Sequence, residues 1–264
     1  MQTLSLSLRN RVEEGDPLPT VFHQLDNVGV KFRRGWLHLL AAAPGGGKSA
    51  FAAFLALKLK LPTLYFSADN DILTFSTGAI ANALNITTNK AERLLKEGNE
   101  EVLEKLQQET SHLWVSFQAG PSPEDIRQEL DAFATVYGDW PAIIVIDNLM
   151  DVDPMGVGGE EWRSQDAILD FLKRLARMTG AAVFVLAHVT GEYTDGTQPI
   201  PRSGLMNKID KRPQVVLTFH YPESDLLGVS VVKNRRGRAK ADGSMIVDIP
   251  WMPEMFCFGT GRGE

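Results

Sequence analysis

The sequence predicts an α/β fold: a mainly parallel, twisted sheet flanked by helices, with an antiparallel C-terminal extension. Three observations predict it. Short β-rich apolar runs recur at residues 37–42, 63–67, 113–117, 142–147 and 182–187, separated by stretches with helical patterning. Strands buried on both faces and joined by crossover helices read this way. After Pro213 the spacing changes, and runs at 214–219, 228–233 and 244–249 follow one another with no room for crossover helices, which predicts hairpin pairing at a sheet edge. The third is a glycine-rich segment at 42–49, Ala-Ala-Pro-Gly-Gly-Gly-Lys-Ser, placed between the first strand and an apolar helix at 51–59.

Residues 1–20 are polar and carry Arg9, Arg11, Glu13, Glu14 and the breakers Gly15, Pro17 and Pro19. They are expected to form an arm or linker ahead of one domain spanning 21–264. Ser122-Pro123-Glu124-Asp125 opens a helix, because Ser caps, Pro suits the first turn and acids favour the positive N-terminus. Ile126, Leu130, Phe133 and Tyr137 mark its inner face. A second helix is expected over 160–179, with Ile168, Phe171, Leu172 and Leu175 at helical spacing and Gly180 as its stop. The turn at 234–243 is rich in Arg, Lys and Gly.

The chain has 264 residues, 44% apolar and 23% charged, which suits one large globular domain. No apolar run approaches the roughly 18 residues that a membrane span needs, and the N-terminus lacks the basic and apolar regions of a secretory signal. A single cysteine, Cys257, permits no internal disulfide. These features predict a cytoplasmic protein with no membrane partner. The net charge of −6 argues against broad coating by nucleic acid but leaves room for a local basic site on a loop.

The segment at 42–49 has the make-up of a phosphate cradle. Its glycines let backbone N–H groups turn toward phosphate oxygens, and the next helix offers its positive end. Ala43, Pro44, Gly45, Gly46, Gly47, Lys48, Ser49 and Ala50 are therefore the expected ATP-binding residues. Lys48 brings charge to the β and γ phosphates, and Ser49 offers a hydroxyl to Mg²⁺. Asp147 ends the run Ala-Ile-Ile-Val-Ile-Asp at the carboxyl end of a strand, where open α/β sheets bind ligands, and is the expected metal carboxylate. Asp69 follows Thr-Leu-Tyr-Phe-Ser-Ala and can position and deprotonate the attacking water; a helix cap near Asp71 is the competing role for this segment. His188 ends the run Ala-Val-Phe-Val-Leu-Ala and can sense the γ phosphate.

In this order the residues resemble the RecA-like ATPase core, and within it the C-terminal motor domain of DnaB-type replicative helicases. The resemblance covers about residues 21–258. It rests on Phe22-His23-Gln24-Leu25-Asp26, the loop at 42–49, Phe66-Ser67-Ala68-Asp69, Val145-Ile146-Asp147, Val185-Leu186-Ala187-His188, Ser203-Gly204-Leu205 and Val232-Lys233-Asn234-Arg235-Arg236-Gly237. It implies that Lys233 and Arg235 act in trans on the γ phosphate of a neighbouring subunit. It also implies two DNA loops, within 151–165 and 189–212, the second supplying Arg202, Lys208, Lys211 and Arg212.

The implied protein is a homo-oligomeric motor, expected to be a hexamer, that uses ATP and Mg²⁺ and holds single-stranded DNA in a channel. Two substitutions depart from the family pattern: Asp69 stands where Glu is usual, which shortens the water-positioning acid, and His188 stands where Gln is common, which adds a titratable group. The chain also reads as a motor core with a short arm in place of the family's separate N-terminal domain. Alternative readings are a filament-forming recombinase or mediator, a metal-dependent nuclease using Asp69, Asp71, Asp147, Asp151 and Asp153, and a switch ATPase with no DNA partner.

Overall fold

The computed structural model describes residues 15–68, 70–154 and 161–261, with side chains from residue 165 onward in the last stretch. Most of the expected arm and the expected water-positioning acid Asp69 lie outside the described residues.

A nine-stranded sheet runs through the described structure in the order β3-β2-β4-β5-β1-β6-β7-β8-β9. The first five strands in sequence are β1 (Leu37–Ala42), β2 (Thr63–Ser67), β3 (Leu113–Ser116), β4 (Ile143–Asp147) and β5 (Ala182–His188). They pair in parallel with one another and with β6 (Val215–Glu223), while β7 (Leu226–Asn234), β8 (Ile246–Met252) and β9 (Cys257–Phe258) continue antiparallel.

The expected hairpin pairing of 214–219 with the next strand is present, β6 running antiparallel to β7, but the other edge of β6 lies parallel to β1, with Val216 opposite Leu39. The return from β5 is made by residues 189–214, which contain only 3₁₀ turns among their regular elements. A crossover needs sufficient chain length to come back to the same edge, and a helix is merely its usual content.

The sheet separates two apolar layers. Successive residues of β1 alternate between them: Leu37, Leu39 and Ala41 face one cluster, Leu40 and Ala42 the other. The first layer is covered by α6 (Pro123–Tyr137) and α7 (Glu161–Thr179), through Ile126, Leu130, Ile168 and Leu172. Ser122 closes a capping box with Asp125 at the start of α6. The second layer packs α2 (Lys48–Leu59), through Phe51 and Phe54, against Phe22 of α1 (His23–Asn27 with its N-cap) and Phe258.

Between β2 and β3 lie α3 (Ile72–Leu84), α4 (Thr88–Lys96) and α5 (Glu100–Thr110). Each starts on a side-chain cap: Asp71 accepts from Thr74 N, Thr87 from Lys90 N and Asn99 from Val102 N. The three helices share a small core of Ile80, Ala81, Ala91 and Val102, on which Phe256 also packs.

His38 points into the second layer, fully buried between Phe32 and Phe184. Its Nδ1 is 3.1 Å from Val183 O and its Nε2 accepts from Arg33 N at 3.1 Å, so the ring is a neutral Nδ1–H tautomer. Burial pushes its pKa down to about 4. Between the ordinary value of 6.5 and that figure the unfolded chain binds a proton that the folded chain refuses. The stability tied to a neutral His38 is thus complete above pH 6.5 and lost as pH falls toward 4, amounting at most to about 3 kcal/mol. His112 and His220 are also lowered by burial and act with the same sign. Urea unfolding at about pH 7.5 and about pH 5 should show a smaller difference in stability for His38→Gln than for the unsubstituted protein. Equal differences would assign the acid sensitivity elsewhere.

Candidate nucleotide site

The carboxyl ends of the parallel strands bring the expected residues together. The loop after β1 turns on Gly46 N donating to Ala43 O at 2.9 Å, and α2 begins directly at Lys48 behind Gly47, whose φ is 80°. Two of its glycines are required sterically. A Cβ on Gly46 would lie 2.8 Å from Ala42 Cβ and 2.9 Å from Ala43 O, and one on Gly47 would lie 2.2 Å from the Tyr221 hydroxyl. The result is a concave backbone surface at a helix N-terminus, suited to phosphate oxygens.

Register places the other groups around this loop. His188 pairs with Ala42, the residue just before the turn, and Asp147, on β4 two strands from β1, pairs with Ser67 of the adjacent β2. The Lys48 amine sits 3.3 Å from Nε2 and 3.4 Å from Nδ1 of His188, and Asn148 Nδ2 is 3.5 Å from the same ring. Ser49 Oγ donates to Asp147 Oδ1 at 3.1 Å, and Tyr65 Oη donates to Oδ2 at 3.0 Å. Burial, followed by the Asp147 carboxylate, pushes the Tyr65 phenol well above its ordinary range, so it is a neutral donor.

The loop opens into a cleft of about 400 Å³ whose far wall is formed by Asn70, Thr74 and Phe75 at the start of α3 and by Phe256. Phe256 takes a left-handed conformation (φ 46°), its ring against Gly78 and its carbonyl accepting from Asn82 Nδ2 at 3.1 Å. The cleft therefore combines a glycine-rich loop suited to phosphate with aromatic side chains, as a nucleotide requires.

Residues 17–241 match the family model described as the DnaB-like helicase C-terminal domain. The chain belongs to that family. Members of the DnaB-like helicase family are ATP-hydrolysing helicases, and the mostly parallel sheet with antiparallel C-terminal strands is the fold of a RecA-like ATPase domain. The chain is 38% identical to the gene 65 protein of Mycobacterium phage L5 over 248 residues, 92% of each protein. To the gene 65 protein of Mycobacterium phage D29 it is 37% identical over 213 residues, 78% of this chain and 91% of that protein. Among solved structures, one described as an ATPase domain superposes with a TM-score of 0.77 at 18% identity, covering 97% of this chain and 95% of that one. A DnaB-like replicative helicase, studied with its interactions with primase, gives the same score and identity; 97% of this chain spans 64% of that longer chain.

The residues present in this DnaB-like domain fit a magnesium nucleotide. A hydroxyl and a carboxylate meet at 3.1 Å beside a glycine cradle, which is how Mg²⁺ is usually held, by few protein oxygens plus phosphate. Among the described residues no three His, Cys, Asp or Glu gather into a metal cage. Asp71 is engaged as the cap of α3, and the Asp151 carboxylate accepts from Asn148 N at 3.2 Å.

Lys233 and Arg235 do not join this site in their own chain. Lys233 pairs with Val216, opposite Leu39, so it lies about 10 Å back along the strand from the end of β1. Its amine donates to the carbonyls of Asp210 at 2.5 Å and Lys211 at 3.1 Å. Burial lowers its pKa to about 8, with Asp210 opposing and Arg235, Arg202 and Lys173 adding to the shift. Arg235 is exposed.

The four basic residues expected to touch DNA divide in two. Lys208 and Lys211 are exposed on a turn in which Lys208 has a φ of 58°. Arg202 forms an ion pair with Asp210, and Arg212 bonds Asp166 at 2.7 and 2.9 Å and Asp170 at 2.9 Å. Part of the other expected DNA loop, residues 155–160 and the Arg163 side chain, is outside the described residues.

Sequence reasoning does not find Tyr65, Asn148, Tyr221 or the aromatic pair Phe75 and Phe256. Asn148 has a signal, a polar residue directly after the metal carboxylate. Phe256 has none, since its place depends on where β8 and β9 lay the end of the chain.

Proposed function

We propose that this protein is an ATP-driven DNA motor that hydrolyses Mg·ATP at the subunit interfaces of a ring, a hexamer, and acts on single-stranded DNA in its channel. The observation that carries the reading is the separation of two half-sites. The cleft with Lys48 and His188, and Asp147 behind Ser49, lies at one edge of the sheet, while Lys233 and Arg235 lie toward the other. Phosphoryl transfer is promoted by cations around the departing γ phosphate. Lys48 is the one lysine or arginine among the described residues lining the cleft, so further cations come from a neighbour.

In this reading the loop N–H groups and Lys48 hold the phosphates, and Ser49 and Asp147 hold the magnesium, which supplies charge neutralisation when bound. Asp69 orients the attacking water. His188 accepts from Lys48 and reports γ phosphate occupancy to the segment that follows it. Phe75 and Phe256 provide the apolar surface for the base. Lys233 exchanges its two carbonyl acceptors for a neighbour's γ phosphate beside Arg235. Lys208 and Lys211 meet strand phosphates, Arg202 shares its charge between Asp210 and the strand, and Arg212 anchors the turn to α7.

Steady-state ATP hydrolysis with and without single-stranded DNA, alongside the mass in solution with nucleotide, tests the proposal. Turnover is expected to rise several-fold with DNA in an assembly of six chains. Unstimulated turnover by a monomer, or DNA-length filaments in negative-stain images, would overturn it.

A further inference from the structure

Asp147 meets two protein hydroxyls, one on each carboxylate oxygen. Ser49 belongs to the phosphate loop, but Tyr65 belongs to no motif and comes from the middle of β2. Register explains its reach. Tyr65 pairs with Val145, so Asp147 lies two residues further along β4 on the same face of the sheet. That diagonal separation is roughly 7–8 Å between backbones, which a long aromatic side chain can span and a short one cannot.

Tyr65 is 0% exposed and Asp147 1% exposed, so the pair meets away from bulk water. A buried phenol needs a partner, and a buried carboxylate needs donors. The ring is also gripped from the cleft side by Phe75, edge-on at 5.3 Å and 75°. Phe75 itself lines the cleft, so the tyrosine stands between the aromatic wall and the metal carboxylate.

We propose that Tyr65 is a positioning residue for the metal carboxylate: by donating to Oδ2 it fixes the rotation of Asp147 so that Oδ1 faces Ser49, where Mg²⁺ is held. The inference rests on the nucleotide reading above. The terminal torsion of an aspartate is broad, and a carboxylate that loses the donor on Oδ2 would rotate more freely. Partners hydrogen-bonded to a ligating group typically contribute about 10- to 100-fold in metal affinity or activity. A tyrosine that merely filled volume would contribute to folding and leave metal binding alone.

Tyr65→Phe removes the hydroxyl and keeps the ring against Phe75. Its affinity for a fluorescent ATP analogue should be measured over a Mg²⁺ titration and in EDTA. The Mg²⁺ needed for half-maximal binding is expected to rise about 10-fold, with affinity in EDTA unchanged. An identical Mg²⁺ titration in the two proteins would overturn the proposal, as would equal weakening with and without Mg²⁺, because that marks a damaged cleft. In an Asp147→Asn background Tyr65→Phe should add nothing; a full additional loss there would show that Tyr65 does not act through Asp147. If the unsubstituted protein binds the analogue with no dependence on Mg²⁺, the magnesium nucleotide reading itself falls, an outcome distinct from a metal-dependent protein indifferent to Tyr65.

Discussion

Replacing Arg235 by alanine is expected to lower kcat for ATP hydrolysis by about 10³-fold or more, the scale of an arginine supplied in trans, with nucleotide affinity changed only a few-fold. The side chain is exposed, and the residue's own anchor is its backbone N–H, which donates to Gln214 O at 3.0 Å and survives the substitution. Folding should therefore be nearly unaffected, as for surface changes generally. The loss falls on kcat because the guanidinium meets charge that develops at the γ phosphate rather than charge already present when ATP binds. A variant that keeps more than about a tenth of its turnover would remove Arg235 from the chemistry.

Lys48→Ala should remove activity from the other half of the same composite site, with kcat/KM falling by on the order of 10²- to 10³-fold. Lys48 is 5% exposed at the first turn of α2, with its amine against the His188 ring, and no other described lysine or arginine of the same chain lines the cleft. Circular dichroism checks that the fold persists. Mixing the two inactive variants then tests the geometry directly. A Lys48→Ala subunit still presents Arg235, and an Arg235→Ala subunit still has an intact phosphate loop, so mixed assemblies contain some complete sites. ATP hydrolysis should reappear in the mixture. A mixture inactive at every ratio, in assemblies shown by mass to contain both variants, would count against sharing in trans.

Much of the fold is legible because its signals are local. Residues 37–42 and 63–67 are strands at the expected boundaries, and the capping pattern at Ser122 opens α6 as expected. The insert at 72–110 is read from the sequence only as a helix near Asp71, and its three helices bury a small core of their own, apart from the two layers on the sheet. The direction of β6 is not legible: a run of apolar residues records burial, whereas parallel or antiparallel pairing depends on where the preceding 26 residues, 189–214, deliver the chain.

The glycine-rich loop, the aspartate that ends β4 and the polar residue that ends β5 can be located from sequence alone, because each stands in a contiguous segment whose local pattern does not depend on distant neighbours. How those segments combine depends on contacts between residues far apart in the chain. Lys48 meets His188 across 140 residues, Tyr65 meets Asp147 across 82, and Arg212 is drawn to Asp166 across 46. Such contacts are fixed by strand order and register, where a shift of one residue turns a side chain to the opposite face. The same physics separates Lys233 and Arg235 from the loop of their own chain: adjacent strands that run in opposite directions carry their ends to opposite edges of the sheet.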